Sequence, residues 1–194
     1  MNRRSFLKGL LFISSIFTLK LKASRKNNVS FNYGVASGDP TNTNIILWTK
    51  VSPTFNKDVT VKWELSADKN FKNILNSGHV SAKYSNDFTV KVDVNVPNPF
   101  RGNKVFYRFL FNDTFSDTGI TNTLPQNDPD KYNIAFCSCS NHPAGYFNAY
   151  REMAKNEDID LVLHLGDYIY EYDKDGYATE DSKRFNRVVD PKHE

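Results

Sequence analysis

Residues 160–170 read Asp-Leu-Val-Leu-His-Leu-Gly-Asp-Tyr-Ile-Tyr, and the fold of the region around them depends on this stretch. The apolar run at 161–165 is short and is interrupted only by His164. Such a run predicts a strand that is buried on both faces, as in a parallel sheet. Gly166 ends the run and Asp167 follows it. Because ligands of open α/β sheets collect beyond the carboxyl ends of strands, Asp167 is a candidate metal ligand.

A strand and a helix are predicted immediately before this stretch, at residues 132–137 and 145–155. The helix carries one apolar stripe, which is formed by Phe147, Tyr150, Met153 and Ala154. A strand, a helix and a second strand over about thirty residues form a βαβ unit with parallel strands. Both strands of such a unit end on the same edge of the sheet. The residues that follow them, at 138–142 and 167–170, are therefore expected to converge.

That edge would bring together a thiol, a carboxylate and phenols. Cys139 lies beyond the first strand, and Asp167 and the tyrosines lie beyond the second. A hard trivalent ion such as Fe³⁺ suits carboxylate and phenolate oxygens, and metal binding deprotonates a thiol. Cys137 is predicted to be a small buried core residue, and His164 a core or supporting residue rather than a ligand. The spacing of Tyr168, Tyr170 and Tyr172 leaves open whether they share one face.

Residues 31–123 show a different pattern, with alternating strands predicted at 44–49, 58–65, 88–94 and 104–111. In the second of these, one face carries Val59, Val61, Trp63 and Leu65. Several short strands separated by turn residues predict a β-sandwich of the immunoglobulin or fibronectin type. Residues 124–132 are polar, contain two prolines and are interpreted as a linker.

The charge distribution argues against a nucleic-acid-binding function. The chain of 194 residues has a net charge of +3, but residues 1–30 hold seven basic residues and no acidic one. The other residues comprise 18 basic and 22 acidic side chains, so the body is mildly acidic and lacks the basic surface that nucleic acids require. The two cysteines, Cys137 and Cys139, are two residues apart, and a strand would hold their Cα atoms near full extension, which makes a disulfide between them awkward and argues against a disulfide scaffold.

The first residues resemble an export signal. Arg3 and Arg4 are followed by Phe6, Leu7 and Lys8, and residues 9–19 are mostly apolar. The apolar run is shorter than a membrane-spanning helix requires. The paired arginines and the residues after them resemble a twin-arginine signal, which predicts export through the twin-arginine machinery. An uncleaved leader would be the only membrane contact.

Several motifs resemble those of PhoD-like alkaline phosphatases. They are Phe-Asn-Tyr-Gly-Val-Ala-Ser-Gly-Asp-Pro at 31–40, Phe-Cys-Ser-Cys at 136–139, Gly-Tyr-Phe-Asn-Ala-Tyr at 145–150 and His-Leu-Gly-Asp-Tyr-Ile-Tyr-Glu-Tyr at 164–172. Residues 187–194 also resemble a family segment. The resemblance implies a β-sandwich N-terminal domain at 31–123, followed at 133–194 by the start of a calcineurin-like α/β metallophosphatase domain. Residues 1–30 would be the signal and residues 124–132 the linker.

The resemblance also implies a metal site and an activity. Cys139 and Tyr170 would bind Fe³⁺, and Asp167 would bridge Fe³⁺ and Ca²⁺. In this family a metal-activated hydroxide hydrolyses phosphate esters, outside the cytoplasm. Family members continue well beyond the position of Glu194, and three ligands are too few for two metal ions. The chain is therefore expected to be the N-terminal part of an exported alkaline phosphatase or phosphodiesterase, with an incomplete active site and little activity alone.

Two other functions remain open from the residues. One is a secreted β-sandwich binding module without catalysis, whose activity would not depend on Cys139 or Tyr170. The other is a thiol redox protein that uses Cys137 and Cys139, although their spacing lacks the Cys-x-x-Cys pattern at a helix N-terminus.

Overall fold

The computed structural model describes residues 29–172, together with residues 176, 177 and 187. The described residues fall into two compact units, which divide between Gln126 and Asn127. Of the predicted export signal, residues 1–28 lie outside the described residues, and so does the family segment after residue 187. No helix in the described part of the chain is both long enough and apolar enough to cross a membrane.

The first unit is built from antiparallel strands. Its strands are β1 Val29–Ser30, β2 Val35–Gly38, β3 Asn44–Lys50, β4 Ser52–Pro53, β5 Val59–Ser66, β6 Ile74–Ala82, β7 Thr89–Asn95, β8 Val105–Phe111, β9 Thr114–Phe115 and β10 Gly119–Thr121. One sheet has the order β2-β3-β7, and the other has the order β10-β8-β5-β6 with β9 paired to β8. Strand β1 pairs with β4.

Both sheets contribute to one hydrophobic core because their strands alternate between buried and exposed residues. Strand β3 buries Ile45 and Leu47, and β8 buries Val105, Tyr107 and Phe109. Strand β5 buries the predicted face, namely Val59, Val61, Trp63 and Leu65. The four strands predicted from alternation are confirmed, each with bounds within one residue of those predicted.

Strand β6 was not predicted, although it pairs with β5 along its length. Its sequence alternates poorly because Asn76, Ser77 and Gly78 interrupt the apolar pattern. Gly78 lies so close to the Trp63 ring that a Cβ at this position would be 2.8 Å from Trp63 Cζ2. The packing of the indole thus requires the glycine, and the glycine obscures the strand in the sequence.

Two ionisable side chains of this unit have shifted pKa values. Burial raises the pKa of the Tyr107 phenol to about 12. Burial disfavours the charged form of Glu64, but hydrogen bonds from Lys62 and Arg108 outweigh that effect and lower the pKa of its carboxyl group. Lys62 Nζ lies 2.6 Å from Glu64 Oε1, and Arg108 Nη2 lies 2.8 Å from Glu64 Oε2.

The second unit contains strand β11 Ile134–Cys137, helix α1 Asn148–Lys155 and strand β12 Leu161–His164. Strands β11 and β12 are parallel, with Ile134 opposite Leu161 and Cys137 opposite His164. The predicted βαβ unit is therefore confirmed in its order and strand direction. The first strand and the helix begin later than predicted, at residues 134 and 148.

The expectation that β12 is buried on both faces is wrong. Val162 is 52% exposed, and Leu165, just beyond the strand, is 65% exposed. Within the described residues this sheet has two strands, and α1 contains no buried residue, so no second layer covers the apolar side chains. For the same reason Cys137 is partly exposed rather than a buried core residue.

Candidate metal centre

Two loops leave the carboxyl ends of β11 and β12 and are joined by backbone hydrogen bonds. The Cys139 N–H donates to the Gly166 carbonyl at 3.3 Å, and the Ser140 N–H donates to the Asp167 carbonyl at 3.2 Å. These contacts follow from the parallel pairing of the strands, which brings both chain ends to one edge. The loops that carry Cys139 and Asp167 are thus held side by side.

The loops meet again at Tyr170, where Asn141 and Tyr170 form an isolated parallel bridge. The Tyr170 N–H donates to the Ser140 carbonyl at 2.7 Å, and the His142 N–H donates to the Tyr170 carbonyl at 3.1 Å. Tyr170 is therefore fixed against the first loop through its backbone. The side chain of His142 has a separate partner, since its Nδ1 lies 3.2 Å from the Arg187 carbonyl.

Three residues of the loops adopt the left-handed backbone conformation. The φ angles are +59° at Cys139, +48° at Asp167 and +114° at Gly166. For a non-glycine residue this conformation costs about 1–2 kcal/mol, and aspartate tolerates it better than most residues. Each loop thus turns sharply just after its strand.

The turns bring the three predicted ligand side chains together. Cys139 Sγ lies 3.5 Å from Asp167 Oδ2, and Tyr170 Oη lies 4.0 Å from Cys139 Sγ. Two donors that each lie about 2 Å from one ion are separated by about 3–4 Å. The measured separations fit donors of a single ion. Cys139 and Asp167 are exposed, and Tyr170 is partly buried.

The charge of Asp167 acts on the neighbouring phenol. Hydrogen bonding to Asp167 is the largest cause of a raised pKa at Tyr170, and burial and the Cys139 thiol act in the same direction. The set of donors therefore favours a protonated phenol unless a positive ion offsets the carboxylate. Among the described residues no group of three or more His, Cys, Asp and Glu side chains could hold a metal, so the candidate site depends on the tyrosine.

The other predicted residues have different partners. Cys137 Sγ contacts the Leu163 carbonyl at 3.8 Å, so the two free thiols face different groups. The rings of Tyr170 and Tyr172 stack with centroids 5.4 Å apart. Tyr168 instead packs against His164, with centroids 5.0 Å apart. The three alternate tyrosines therefore do not act as one set.

Two residues near the loops were not predicted to have a role there. Ser140 is buried, and its hydroxyl contacts the Tyr150 hydroxyl. Tyr150 Oη also lies 3.1 Å from His164 Nε2. Sequence reasoning placed Tyr150 on the apolar stripe of α1 as a packing residue. The signal in the sequence for this role was the Tyr150 hydroxyl. A helix position that only packs against apolar groups would accept phenylalanine as readily as tyrosine.

Comparisons with known proteins agree over almost the whole chain. Residues 18–125 match the family model described as "PhoD-like phosphatase, N-terminal domain", and residues 134–194 match that described as "PhoD-like phosphatase". Alkaline phosphatase D of Bacillus subtilis (strain 168) is 38% identical over 183 residues, which cover 88% of this chain and 30% of the relative. A solved structure of PhoD superposes with a TM-score of 0.65 at 39% identity, covering 74% of this chain and 29% of that chain.

The chain thus spans less than a third of the length of these relatives. The described part of the chain is dominated by β-strands. The family models together extend over both units and over the loops that carry Cys139, Asp167 and Tyr170. The chain belongs to the PhoD-like phosphatase family.

Proposed function

We propose that this chain is the N-terminal part of an exported phosphatase that hydrolyses phosphate monoesters and diesters with the help of two metal ions. Residues 31–123 would form a β-sandwich domain, residues 124–132 a linker, and residues 133–194 the start of a metallophosphatase domain. Family membership supports a phosphate-ester substrate. The basic leader with Arg3 and Arg4 supports export through the twin-arginine machinery.

One observation carries the proposal, namely the convergence of three different donors on two loops. Cys139 is 28 residues from Asp167 and 31 residues from Tyr170 in the sequence, yet its Sγ lies 3.5 Å from Asp167 Oδ2 and 4.0 Å from Tyr170 Oη. A thiolate, a carboxylate and a phenolate together suit Fe³⁺, and a carboxylate oxygen also suits Ca²⁺. We therefore propose that Cys139 and Tyr170 would hold Fe³⁺ and that Asp167 would be shared by Fe³⁺ and Ca²⁺.

Each residue would contribute in its own way. Asp167 would supply negative charge at the edge of the sheet, and Cys139 from the first loop and Tyr170 from the second would hold the cation. When bound, the ions would supply Lewis-acid polarisation of a phosphoryl oxygen and a water of lowered pKa. The backbone hydrogen bonds between the loops keep the three donors in place before any ion binds.

Three donors are too few for two metal ions, since each ion takes at least four ligands. In the described part of the chain no further cluster of three His, Cys, Asp and Glu side chains is present. We propose that the other ligands come from the part of the relatives' length that this chain does not span. The 194-residue chain alone would then bind metal weakly and show little turnover.

The proposal is tested by loading the purified chain with Fe³⁺ and measuring bound iron and its absorption. We expect binding of iron with a tyrosinate charge-transfer colour. Asp167→Ala should abolish binding, and Tyr170→Phe should remove the colour. Cys139→Ser should weaken binding, whereas the matched control Cys137→Ser should not, because Cys137 faces the Leu163 carbonyl.

Iron binding that survives Asp167→Ala, or that Cys137→Ser weakens as much as Cys139→Ser, would contradict the metal centre. A chain that binds no iron but retains a folded first unit would instead support the non-catalytic binding module. Strong phosphatase turnover by the 194-residue chain, abolished by Asp167→Ala, would contradict the incomplete site.

A further inference from the structure

We infer that Tyr150, on helix α1, is a positioning residue that ties together the two loops of the candidate metal centre. Its hydroxyl contacts Ser140 Oγ in the first loop and lies 3.1 Å from His164 Nε2 at the base of the second. The inference rests on the proposed assignment of Cys139 and Asp167 as metal ligands. It adds a residue that touches neither of them.

The connection continues beyond His164 into the second loop. His164 Nδ1 accepts a hydrogen bond from the Gly166 N–H at 3.3 Å. Ser140 directly follows Cys139, and Gly166 directly precedes Asp167. The chain of contacts from Ser140 through Tyr150 and His164 to Gly166, here called the Tyr150 relay, therefore ends beside one candidate ligand in each loop.

The relay has a defined proton order. Because the Gly166 N–H donates to Nδ1, neutral His164 carries its proton on Nε2. That proton is donated to Tyr150 Oη, and the Tyr150 hydroxyl then donates to Ser140 Oγ. A phenylalanine at position 150 would lack the hydroxyl, so it could neither accept from His164 Nε2 nor donate to Ser140 Oγ.

The relay has a physical task because the ligand loops are strained. Cys139 and Asp167 both occupy the left-handed region, at φ +59° and +48°. The backbone contacts that oppose relaxation there are long, at 3.3 Å for the Cys139 N–H and 3.2 Å for the Ser140 N–H. Ser140 is buried, so its hydroxyl needs a partner, and Tyr150 supplies it from the helix. Helix α1 thereby adds a side-chain link between the two loops to their backbone hydrogen bonds.

The first measurement uses the metal-free chain and follows amide hydrogen exchange at Cys139, Ser140 and Gly166. Loss of one hydrogen bond changes a local opening equilibrium by about tenfold, so Tyr150→Phe should speed exchange at these amides by about that factor. Tyr168→Phe is the matched control, because Tyr168 packs on the His164 ring without joining the relay. Amides of the first unit serve as the internal reference for global folding.

A second measurement separates a relay from simple packing. His164→Gln keeps an amide near the position of Nε2 but loses the acceptor for the Gly166 N–H. If the contacts act in series, the double variant with Tyr150→Phe should exchange no faster than the more affected single variant. Additive effects of the two substitutions would show independent local contacts and overturn the relay.

The third measurement is Fe³⁺ affinity, for which groups that orient ligands typically contribute about 10–100-fold. We expect Tyr150→Phe to lower affinity within that range and to keep the tyrosinate colour, since Tyr170 remains. Unchanged affinity together with unchanged exchange would overturn the inference and leave the metal centre standing. If the unmodified chain binds no iron, the proposed function fails, and the exchange measurements still decide whether Tyr150 positions the loops.

Discussion

Phe109 in the first unit is fully buried, whereas Phe136 in the second is 68% exposed, although both residues lie on β-strands. All members of the hydrophobic core cluster lie between Val29 and Phe109. The described part of the second unit instead exposes many of its large apolar residues, such as Phe136, Val162 and Leu165, and gathers polar groups at the end of its sheet. Large apolar residues therefore stabilise the first unit by packing in a core. In the described part of the second unit they contribute less, and hydrogen bonds hold the segments together.

Charge divides in the same way. Residues 29–126 contain ten basic and eight acidic side chains, whereas residues 127–194 contain eight basic and fourteen acidic ones. In the first unit Glu64 is enclosed by Lys62 and Arg108. In the second, Asp167 is exposed beside a thiol and a phenol. Excess negative charge in the unit that carries a candidate cation site favours cation binding, whereas the enclosed ion pairs of Glu64 stabilise the fold of the first unit.

The largest expected difference between the units comes from truncating one phenylalanine in each. Phe109→Ala should lower the free energy of unfolding by about 3–5 kcal/mol, because it removes a fully buried ring and leaves a cavity. Phe136→Ala should change it by less than about 0.5 kcal/mol, because the ring is mostly exposed. Denaturant unfolding followed by far-ultraviolet circular dichroism measures both, because the two tryptophans, Trp48 and Trp63, lie in the first unit and would not report on the second. Equal losses would break the comparison between the units.

A smaller effect is expected from the buried phenol of Tyr107. Its pKa is raised to about 12 by burial, so the neutral form stabilises the fold. This stability is fully present below pH 10, the pKa of an unfolded tyrosine, and is lost as the pH rises through 12. Relative to Tyr107→Phe, the unmodified chain should lose about 2 kcal/mol between pH 9 and pH 12. Parallel pH profiles of the two chains would show that burial does not perturb this phenol.

The smallest effect concerns acid stability and compares Glu64 with Glu152. The pKa of Glu64 is lowered, so its contribution is present above the unfolded value of 4.5 and is lost as the pH falls through the lower folded value. Relative to Glu64→Gln, the unmodified chain should lose less than about 1 kcal/mol between pH 5 and pH 3. Glu152 pairs with Lys155 on the exposed face of α1, so Glu152→Gln should leave this profile unchanged. If Glu152→Gln changed the pH dependence of stability more than Glu64→Gln does, the expected order of the two residues would be wrong.

Sequence reasoning predicted the strands of the first unit well because alternation is a local property. It missed β6, where the Trp63 ring requires a glycine at 78. It predicted the βαβ order of the second unit but not the exposure of β12, since burial depends on neighbouring layers rather than on the strand's own residues. An apolar run is compatible with either environment.

For the candidate site, the family motifs supplied Cys139, Asp167 and Tyr170, and the structure supplied their distances. Those distances depend on left-handed turns in both loops, which residue spacing does not define. The role of Tyr150 could not be read from the sequence either, because its partners Ser140 and His164 come together only when the strands pair. What sequence reasoning did not predict was in each case a contact between two segments rather than a property of one segment.

The left-handed turns at Cys139 and Asp167 also define which residues an engineered site could use. Asparagine, aspartate and histidine enter this region of backbone space more readily than other non-glycine residues, and β-branched side chains rarely enter it. A library built at these two positions should therefore draw on Asp, Asn, His and Cys and omit Thr, Val and Ile. That short alphabet contains nitrogen, oxygen and sulfur donors. An engineered site here could thus vary its donor chemistry while the backbone of both loops stays the same.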